Sequence, residues 1–149
     1  MSDRIGTVRA VSFSPTGSTR RVLRSIAAGI GAARMQEDSL DRPAWREAGV
    51  QVGDDELLLV GMPVYAGRVP GLFHGGLPVR GTGDAVCVVC YGNRAYEDAL
   101  SELVGLTRRA GFRVIAAGAF VTEHSLNGRI AAGRPDEADT ALMEAFGRQ

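Results

Sequence analysis

Short apolar runs alternate along the chain with segments in which apolar residues recur every three or four positions. Continuous apolar runs are typical of buried strands, whereas a spacing of three or four indicates an amphipathic helix. The runs predict four strands, at residues 7–13, 56–62, 84–91 and 113–121, and a weaker pattern predicts a short second strand at residues 36–40. The helical spacing predicts helices at residues 18–33, 95–110 and 136–146. Residues 42–52 are predicted to be irregular, and residues 63–78 to form a loop that holds one short helix.

This alternation of strands and helices predicts an α/β fold in a single domain that spans residues 1–149. Near-continuous apolar strands are typical of sheets that are buried on both faces, so we expect a doubly wound parallel sheet with helices on both sides. In such sheets, ligands bind beyond the carboxyl ends of the strands, where the strand order reverses. The residues that follow each predicted strand are therefore the candidates for a binding site.

The amino-acid composition excludes several classes of function for this chain. The chain of 149 residues has 17 basic and 17 acidic residues, and all of the basic ones are arginine. The absence of lysine excludes a Schiff-base lysine and the lysine of a nucleotide-binding P-loop. Zero net charge argues against a nucleic-acid partner held through many phosphate contacts. We therefore expect no nucleic acid among the partners of this protein.

Neither a signal peptide nor a membrane-spanning segment is predicted. Residues 1–10 lack the apolar core of a signal peptide. No apolar run approaches the roughly 20 residues that a membrane helix needs. We therefore expect a cytoplasmic protein without a membrane span.

Two cysteines, Cys87 and Cys90, lie in the predicted strand at residues 84–91. Their spacing matches some redox and zinc motifs, but residues three apart on a strand point to opposite faces of the sheet. We therefore expect both to be buried core residues that do not pair with each other. Because the sequence shows no cluster of carboxylates and histidines, no metal site is predicted.

The segment after the first predicted strand has the features of an anion-binding loop. Four hydroxyl residues and a glycine precede a predicted helix or begin it: Ser14, Thr16, Gly17, Ser18 and Thr19. A helix N-terminus offers unpaired N–H groups and the positive end of the helix dipole, and Gly17 allows the backbone to turn closely around an anion. Capping of the helix explains one hydroxyl residue but not four, so we favour a phosphate-binding loop. The P-loop and the glycine-rich dinucleotide-binding motif are both absent.

Polar and aromatic residues follow the later strands. Tyr65 lies in a turn rich in proline and small residues, and Tyr91 is followed by Gly92 and Asn93. An aromatic side chain at this edge either stacks on a planar ligand or packs over the end of the sheet, and the sequence leaves both alternatives open for Tyr65. Asn93 is also a candidate for helix capping. His124, after the last strand, is either a pocket-lining residue or a polar loop residue.

These segments together resemble the three flavin-binding loops of flavodoxins. The sequence SPTGST at residues 14–19 fits the phosphate-loop pattern Ser/Thr-x-Thr-Gly-x-Thr at every specified position. GMPVYAGRVP at residues 61–70 and YGNRAYEDAL at residues 91–100 are similar to the second and third loops. With EHS and IAAGRPD near the C-terminus, almost the whole chain resembles the flavodoxin part of flavodoxin–ferredoxin fusion proteins.

The resemblance implies a five-stranded sheet of order 2-1-3-4-5 and noncovalent binding of FMN. It assigns the FMN phosphate to Ser14, Thr16, Gly17, Ser18 and Thr19. The residues it places around the flavin ring come from the two later loops: Pro63, Val64, Tyr65, Ala66, Gly67, Tyr91, Gly92, Asn93 and Arg94. Tyr96 and His124 are further candidates for cofactor binding, and no residue is assigned a catalytic role.

The resemblance further implies electron transfer to or from a redox protein partner, such as a separate ferredoxin or a reductase. Two features depart from the family: the cysteine clusters of a ferredoxin part are absent, and the net charge is zero where many flavodoxins are acidic. The alternative is an FMN-dependent oxidoreductase acting on a small substrate of the quinone or porphyrinogen type. A flavin-free binding module on the same fold is a third hypothesis.

Overall fold

A five-stranded parallel sheet lies at the centre of the computed structural model, which describes residues 6–65, 67–92, 98–121 and 145–148. The strands in the described part are β1 (Thr7–Ser12), β2 (Arg34–Ser39), β3 (Val50–Gln51), β4 (Glu56–Pro63), β5 (Val79–Arg80), β6 (Asp84–Tyr91) and β7 (Arg113–Val121). The longer helical segments there are α1 (Ser18–Ile30), α2 (Pro43–Ala48) and α3 (Ala99–Arg109). A single 3₁₀ turn covers Gly71–Phe73.

The order of strands in the large sheet is β2-β1-β4-β6-β7, and all neighbouring strands are parallel. Strands β3 and β5 pair only with each other, in a small second sheet. With those two strands left out, the order is the predicted 2-1-3-4-5, and the prediction is confirmed. Ser12 at the end of β1 lies opposite Ser39 on one side and Gly61 on the other. The strand order therefore reverses between β1 and β4, which places the switch point at their carboxyl ends.

Helices pack on both faces of the sheet, as predicted. On one face, Leu23 and Ile26 of α1 are buried with Leu59 of β4. On the other face, Leu103 of α3 is buried with Val60 of the same strand. Each face of β4 therefore supports a separate apolar cluster, which explains why its sequence is a continuous apolar run and not an alternating one.

The two cysteines are buried and unpaired, as predicted. Cys87 belongs to the cluster beneath α3, and Cys90 belongs to the cluster beneath α1. Burial raises the pKa of the Cys87 thiol to about 11 and that of the Cys90 thiol to about 12. Both thiols are therefore protonated at neutral pH, and neither is activated as a nucleophile.

The predicted first helix and second strand differ most from the structure in their boundaries. The first helix was expected to reach residue 33 but ends at Ile30, because Gly31 adopts a left-handed conformation (φ 72°) and its N–H donates to the carbonyl oxygen of Ala27. The second strand was expected at residues 36–40 but spans Arg34–Ser39. Its residues are mostly exposed and polar because β2 lies at the edge of the sheet, so no apolar run marked it.

The prediction that residues 42–52 are irregular was wrong. This segment contains the short helix α2, which begins at Pro43, and the strand β3. The N–H of Val50 donates to the carbonyl oxygen of Pro78 at 2.8 Å, and this bond joins the segment to the predicted loop at residues 63–78. Pairing across such a distance in sequence leaves no local hydrophobic pattern to predict it.

Other expectations lie partly outside the described residues. The helix expected at residues 95–110 is described from Ala99 to Arg109, and its predicted start is not covered. Of the helix expected at residues 136–146, residues 136–144 also lie outside, whereas residues 145–148 are helical. Among the described residues, no helix has the length and apolar character to cross a membrane.

Candidate functional site

The ends of β1, β4 and β6 lie side by side at the carboxyl edge of the sheet. The N–H of Phe13, after β1, donates to the carbonyl oxygen of Gly61 in β4 at 3.3 Å. The N–H of Val64, after β4, donates to the carbonyl oxygen of Cys90 in β6 at 2.9 Å. The first bond extends the pairing of β1 with β4, and the second extends the pairing of β4 with β6. The first loop (residues 14–19) and the second loop (residues 64–74, within the loop predicted at residues 63–78) therefore start from neighbouring strands.

The first loop has the backbone of an anion-binding turn. Gly17 adopts a left-handed conformation (φ 85°), and its N–H donates to the carbonyl oxygen of Ser14 at 2.9 Å. Helix α1 begins at the next residue without a side-chain cap. The N–H groups of Ser18 and Thr19 in its first turn therefore have no partner within the helix. Together with the helix dipole, they favour an anion at this end of α1.

The hydroxyl residues of the first loop have distinct positions. Ser14, Ser18 and Thr19 are buried, whereas Thr16 is exposed and donates to the Ser18 hydroxyl at 3.4 Å. The Ser14 hydroxyl accepts a hydrogen bond from the Arg20 N–H at 3.1 Å. The Thr19 hydroxyl lies next to the Cys90 thiol and partly offsets the rise in the pKa of that thiol caused by burial. The hydroxyl side chains of the first loop therefore also stabilise its conformation.

Two residues at the first loop were missed by sequence reasoning, Asp41 and Arg20. The Ser14 N–H donates to Oδ1 of Asp41 at 2.6 Å, and the Arg20 guanidinium lies 3.8 Å from Oδ2 of the same carboxylate. Asp41 follows β2, so the rule that ligand-binding residues follow strands would have identified it. No such signal marks Arg20, which is one of two consecutive arginines near the start of α1.

The second loop begins with a tight turn. Tyr65 and Arg68 exchange both backbone hydrogen bonds, at 2.7 Å and 3.0 Å, and Gly67 has the positive φ of 77° that this turn requires. The Tyr65 side chain is 39% exposed. Its pKa is raised, first by partial burial and then by the nearby negative charge of Asp41. The ring therefore remains protonated at neutral pH and lies near the same carboxylate that contacts the first loop.

Glu102 of α3 holds the second loop on its far side. One of its carboxylate oxygens accepts from the buried Val69 N–H at 2.9 Å, and the other accepts from the Arg68 guanidinium. His74 places Nε2 at 2.9 Å from the carbonyl oxygen of Val69 and at 3.7 Å from Glu102. The hydrogen bond from Arg68 is the first cause that lowers the pKa of Glu102. Sequence reasoning missed this residue, because an acidic residue in the first turn of a helix is already explained by the helix dipole.

The third predicted loop is described only at its start. Tyr91 and Gly92 are partly buried at the end of β6. Five predicted site residues lie outside the described part of the chain: Ala66, Asn93, Arg94, Tyr96 and His124. Pro63 and Val64 are partly buried at the end of β4, close to β6. Within the described ranges, no group of three or more histidine, cysteine or carboxylate residues is arranged to bind a metal ion.

The donor set of the first loop fits a phosphate group. It consists of the N–H groups of Ser18 and Thr19 in the first turn of α1, a glycine with positive φ at the N-cap and hydroxyl side chains at the same turn. The exposed ring of Tyr65 stands on the neighbouring loop and offers a face to a planar group. A molecule that joins a phosphate to an aromatic ring system matches both parts of this edge.

Comparison with known proteins supports the fold. No protein-family model matches the sequence, and no curated protein matches it. Among solved structures, a flavodoxin from the domain Archaea is 15% identical, with a TM-score of 0.59 over 95% of this chain and 94% of that one. The two-electron reduced flavodoxin of Megasphaera elsdenii is 18% identical, with a TM-score of 0.56 over 95% of this chain and 99% of that one.

An oxidoreductase shares the fold as well. The apo form of the NADH:FMN oxidoreductase EMOB is 15% identical to this chain, with a TM-score of 0.58 over 95% of this chain and 86% of that one. At such identities, the likeness concerns the path of the backbone and not the residues of the site. The chain has a flavodoxin-like α/β fold.

Proposed function

We propose that the protein binds FMN at the carboxyl edge of the sheet and carries electrons to or from a redox protein partner. The observation that carries this proposal is the first loop: a positive-φ glycine at the N-cap of α1, the first-turn N–H groups of Ser18 and Thr19, and hydroxyl residues at the switch point of a flavodoxin-like sheet. The two flavodoxins and the NADH:FMN oxidoreductase with this fold add support.

In this proposal, the N–H groups of Ser18 and Thr19 and the hydroxyl of Thr16 bind the phosphate. Tyr65 covers one face of the flavin ring, and the segment that begins at Tyr91 covers the other. FMN supplies the redox chemistry when it is bound, and the protein sets its potential through stacking, hydrogen bonds and nearby charge. The protonated Tyr65 adds no negative charge there. No residue of the described part needs to act as a general acid or base.

The first test is the absorbance spectrum of the purified protein and of the protein after addition of FMN. We expect a yellow protein with a flavin spectrum that a chemical reductant bleaches. A colourless protein that takes up no added FMN contradicts the proposal and leaves the flavin-free binding module.

The matched variants Gly17→Asp and Gly31→Asp sharpen this test. Both glycines have positive φ, and they lie at opposite ends of α1. Each substitution adds one carboxylate and a similar backbone strain, but only the first places negative charge in the phosphate site. The helix dipole favours a carboxylate at the N-terminus and disfavours it at the C-terminus. We expect Gly17→Asp to abolish FMN binding while costing less stability than Gly31→Asp. Equal FMN affinity in the two variants contradicts the phosphate assignment.

The second candidate is an FMN-dependent oxidoreductase that acts on a small quinone or porphyrinogen. The fold similarity to an NADH:FMN oxidoreductase favours it, as does the zero net charge, because an acidic docking surface is not evident. Steady-state assays with NADH or NADPH and a panel of quinones distinguish the two functions. Rapid turnover without any added protein partner indicates the enzyme, whereas reduction that requires a protein donor indicates the carrier.

A further inference from the structure

Among the arginines of the described chain that form an ion pair with a carboxylate, Arg20 is the one whose guanidinium makes no direct hydrogen bond to it. Arg9, Arg24 and Arg113 each donate directly to a carboxylate, at 2.9, 2.7 and 2.8 Å respectively. Arg20 lies 3.8 Å from Asp41, which is beyond hydrogen-bond distance. Within residues 6–65, 67–92, 98–121 and 145–148, its guanidinium makes no hydrogen bond. Within that part of the chain, the ion pair with Asp41 is the only charged contact of its guanidinium.

The guanidinium lies next to the first loop. A Cβ atom built on Gly17 would stand 3.4 Å from Nη2 of Arg20, so the side chain reaches across the positive-φ glycine. The Arg20 backbone is fixed in the same place, because its N–H donates to the Ser14 hydroxyl. The side chain is 36% exposed, which leaves it accessible to a ligand. The guanidinium is thus beside the turn that offers N–H groups to an anion.

The position of Arg20 is unfavourable for the helix by itself. The N-terminal end of a helix carries partial positive charge, so a cation in the first turn is disfavoured and a carboxylate is preferred. Helix α1 has no acidic residue in its first turn. Asp41 compensates part of this charge, but it also receives the Ser14 N–H at 2.6 Å. A dianion at the first loop would balance the remaining positive charge.

We infer that Arg20 is a phosphate-binding residue that makes this site select FMN over riboflavin, with Asp41 as the residue that positions its guanidinium. This inference rests on the proposed function and adds an ionic contact to a loop that otherwise binds through N–H and hydroxyl groups. A guanidinium donates to phosphate through two N–H groups at once, which an ammonium does not reproduce.

The test compares the dissociation constants of FMN and riboflavin, measured by quenching of flavin fluorescence, for the wild type and for Arg20→Ala, Arg20→Lys and Arg21→Ala. Arg21→Ala is the matched control, because it removes the same charge from the same helical turn at an exposed position. We expect Arg20→Ala to weaken FMN binding by about tenfold or more, with riboflavin binding unchanged. We expect the FMN affinity of Arg20→Lys to lie between the affinities of the wild type and Arg20→Ala. We expect Arg21→Ala to keep the preference for FMN over riboflavin.

The outcomes separate this inference from the proposed function. If the wild type binds neither flavin, the proposed function fails and the inference fails with it. If the wild type binds FMN and Arg20→Ala binds it equally well, only the inference fails. If Arg20→Ala weakens FMN and riboflavin to the same extent, Arg20 supports the shape of the loop and the inference is again overturned. A ³¹P NMR titration gives a second readout: the bound phosphate should protonate at a higher pH in Arg20→Ala than in the wild type.

Discussion

The two loops of the site that the structure describes are held in place by different means. The first loop is shaped by local bonds, namely the turn at Gly17 and the bond between Ser14 and Arg20, together with one distant contact, from the Ser14 N–H to Asp41. The second loop depends on Glu102, which lies 34 positions beyond Arg68 in the sequence. Local contacts such as the turn at Gly17 can be predicted from the sequence, whereas contacts between distant residues, such as those of Asp41 and Glu102, require the folded chain.

The largest effect is expected where the first loop depends on the core. A Cβ atom on Gly61 would stand 2.9 Å from both Leu23 of α1 and the Thr19 methyl group, closer than carbon atoms pack. We expect Gly61→Ala to displace the start of α1, to cost about 1–3 kcal/mol of unfolding free energy and to weaken FMN binding. Chemical denaturation and flavin titration measure these two effects.

Gly105 supplies the matched control for this substitution. It lies inside α3, and a Cβ atom there meets nothing within 4 Å. Gly105→Ala should therefore stabilise the protein by about 0.5–1 kcal/mol, since alanine favours helix more than glycine does. Equal effects of the two substitutions would show that the close packing of α1 on β4 does not support the first loop.

A smaller effect is expected for the second loop from Glu102→Ala. The substitution leaves the buried Val69 N–H without its acceptor, which costs about 1–2 kcal/mol. It also releases Arg68, so amide hydrogen exchange should become faster at Val69 and stay unchanged in the first loop. Glu37→Ala is the control, because its carboxylate pairs with Arg24 at an exposed position and should contribute little. Faster exchange in both loops would mean that they are not independent.

The smallest expected effect is the pH dependence of the stability that the Glu102 carboxylate contributes at the second loop. The pKa of Glu102 is lower in the folded chain than its ordinary value, chiefly because Arg68 donates to it. Its carboxylate therefore stabilises the fold above the ordinary pKa, and this stabilisation is lost as the pH falls through the lowered value. We expect the difference in melting temperature between the wild type and Glu102→Gln to shrink between about pH 5 and pH 3. A difference that stays constant over this range contradicts the role of the ionised carboxylate.

The sequence predicted most of the large sheet because its central strands are buried on both faces. Strands β4 and β6 were predicted almost to the residue, since a continuous apolar run marks such a strand. The first loop was predicted because each of its features is local: one glycine, four hydroxyl residues and a helix start. The boundaries of β2 were predicted less well because it is an edge strand. Half of its hydrogen-bonding groups and most of its side chains face away from the core, so its sequence is polar.

The rest of the site could not be predicted because it depends on pairs of residues that are distant in sequence. Neither Asp41 nor Glu102 lies in a motif, and each acquires its role only when the fold brings it to another segment. The pairing of β3 with β5 is of the same kind. A local sequence pattern indicates the secondary structure and burial that a residue prefers. The contacts of Asp41 and Glu102 depend instead on how the whole chain folds.

Strand β2 also bears on the behaviour of the protein in concentrated solution. An edge strand offers unpaired N–H and C=O groups to the strands of other molecules, and such pairing begins aggregation. Residues Arg34, Glu37 and Asp38 place charges of both signs along this edge. Each would lose hydration if a second copy paired there, so the polarity that weakens the hydrophobic pattern of β2 also disfavours pairing between copies of the chain at this edge.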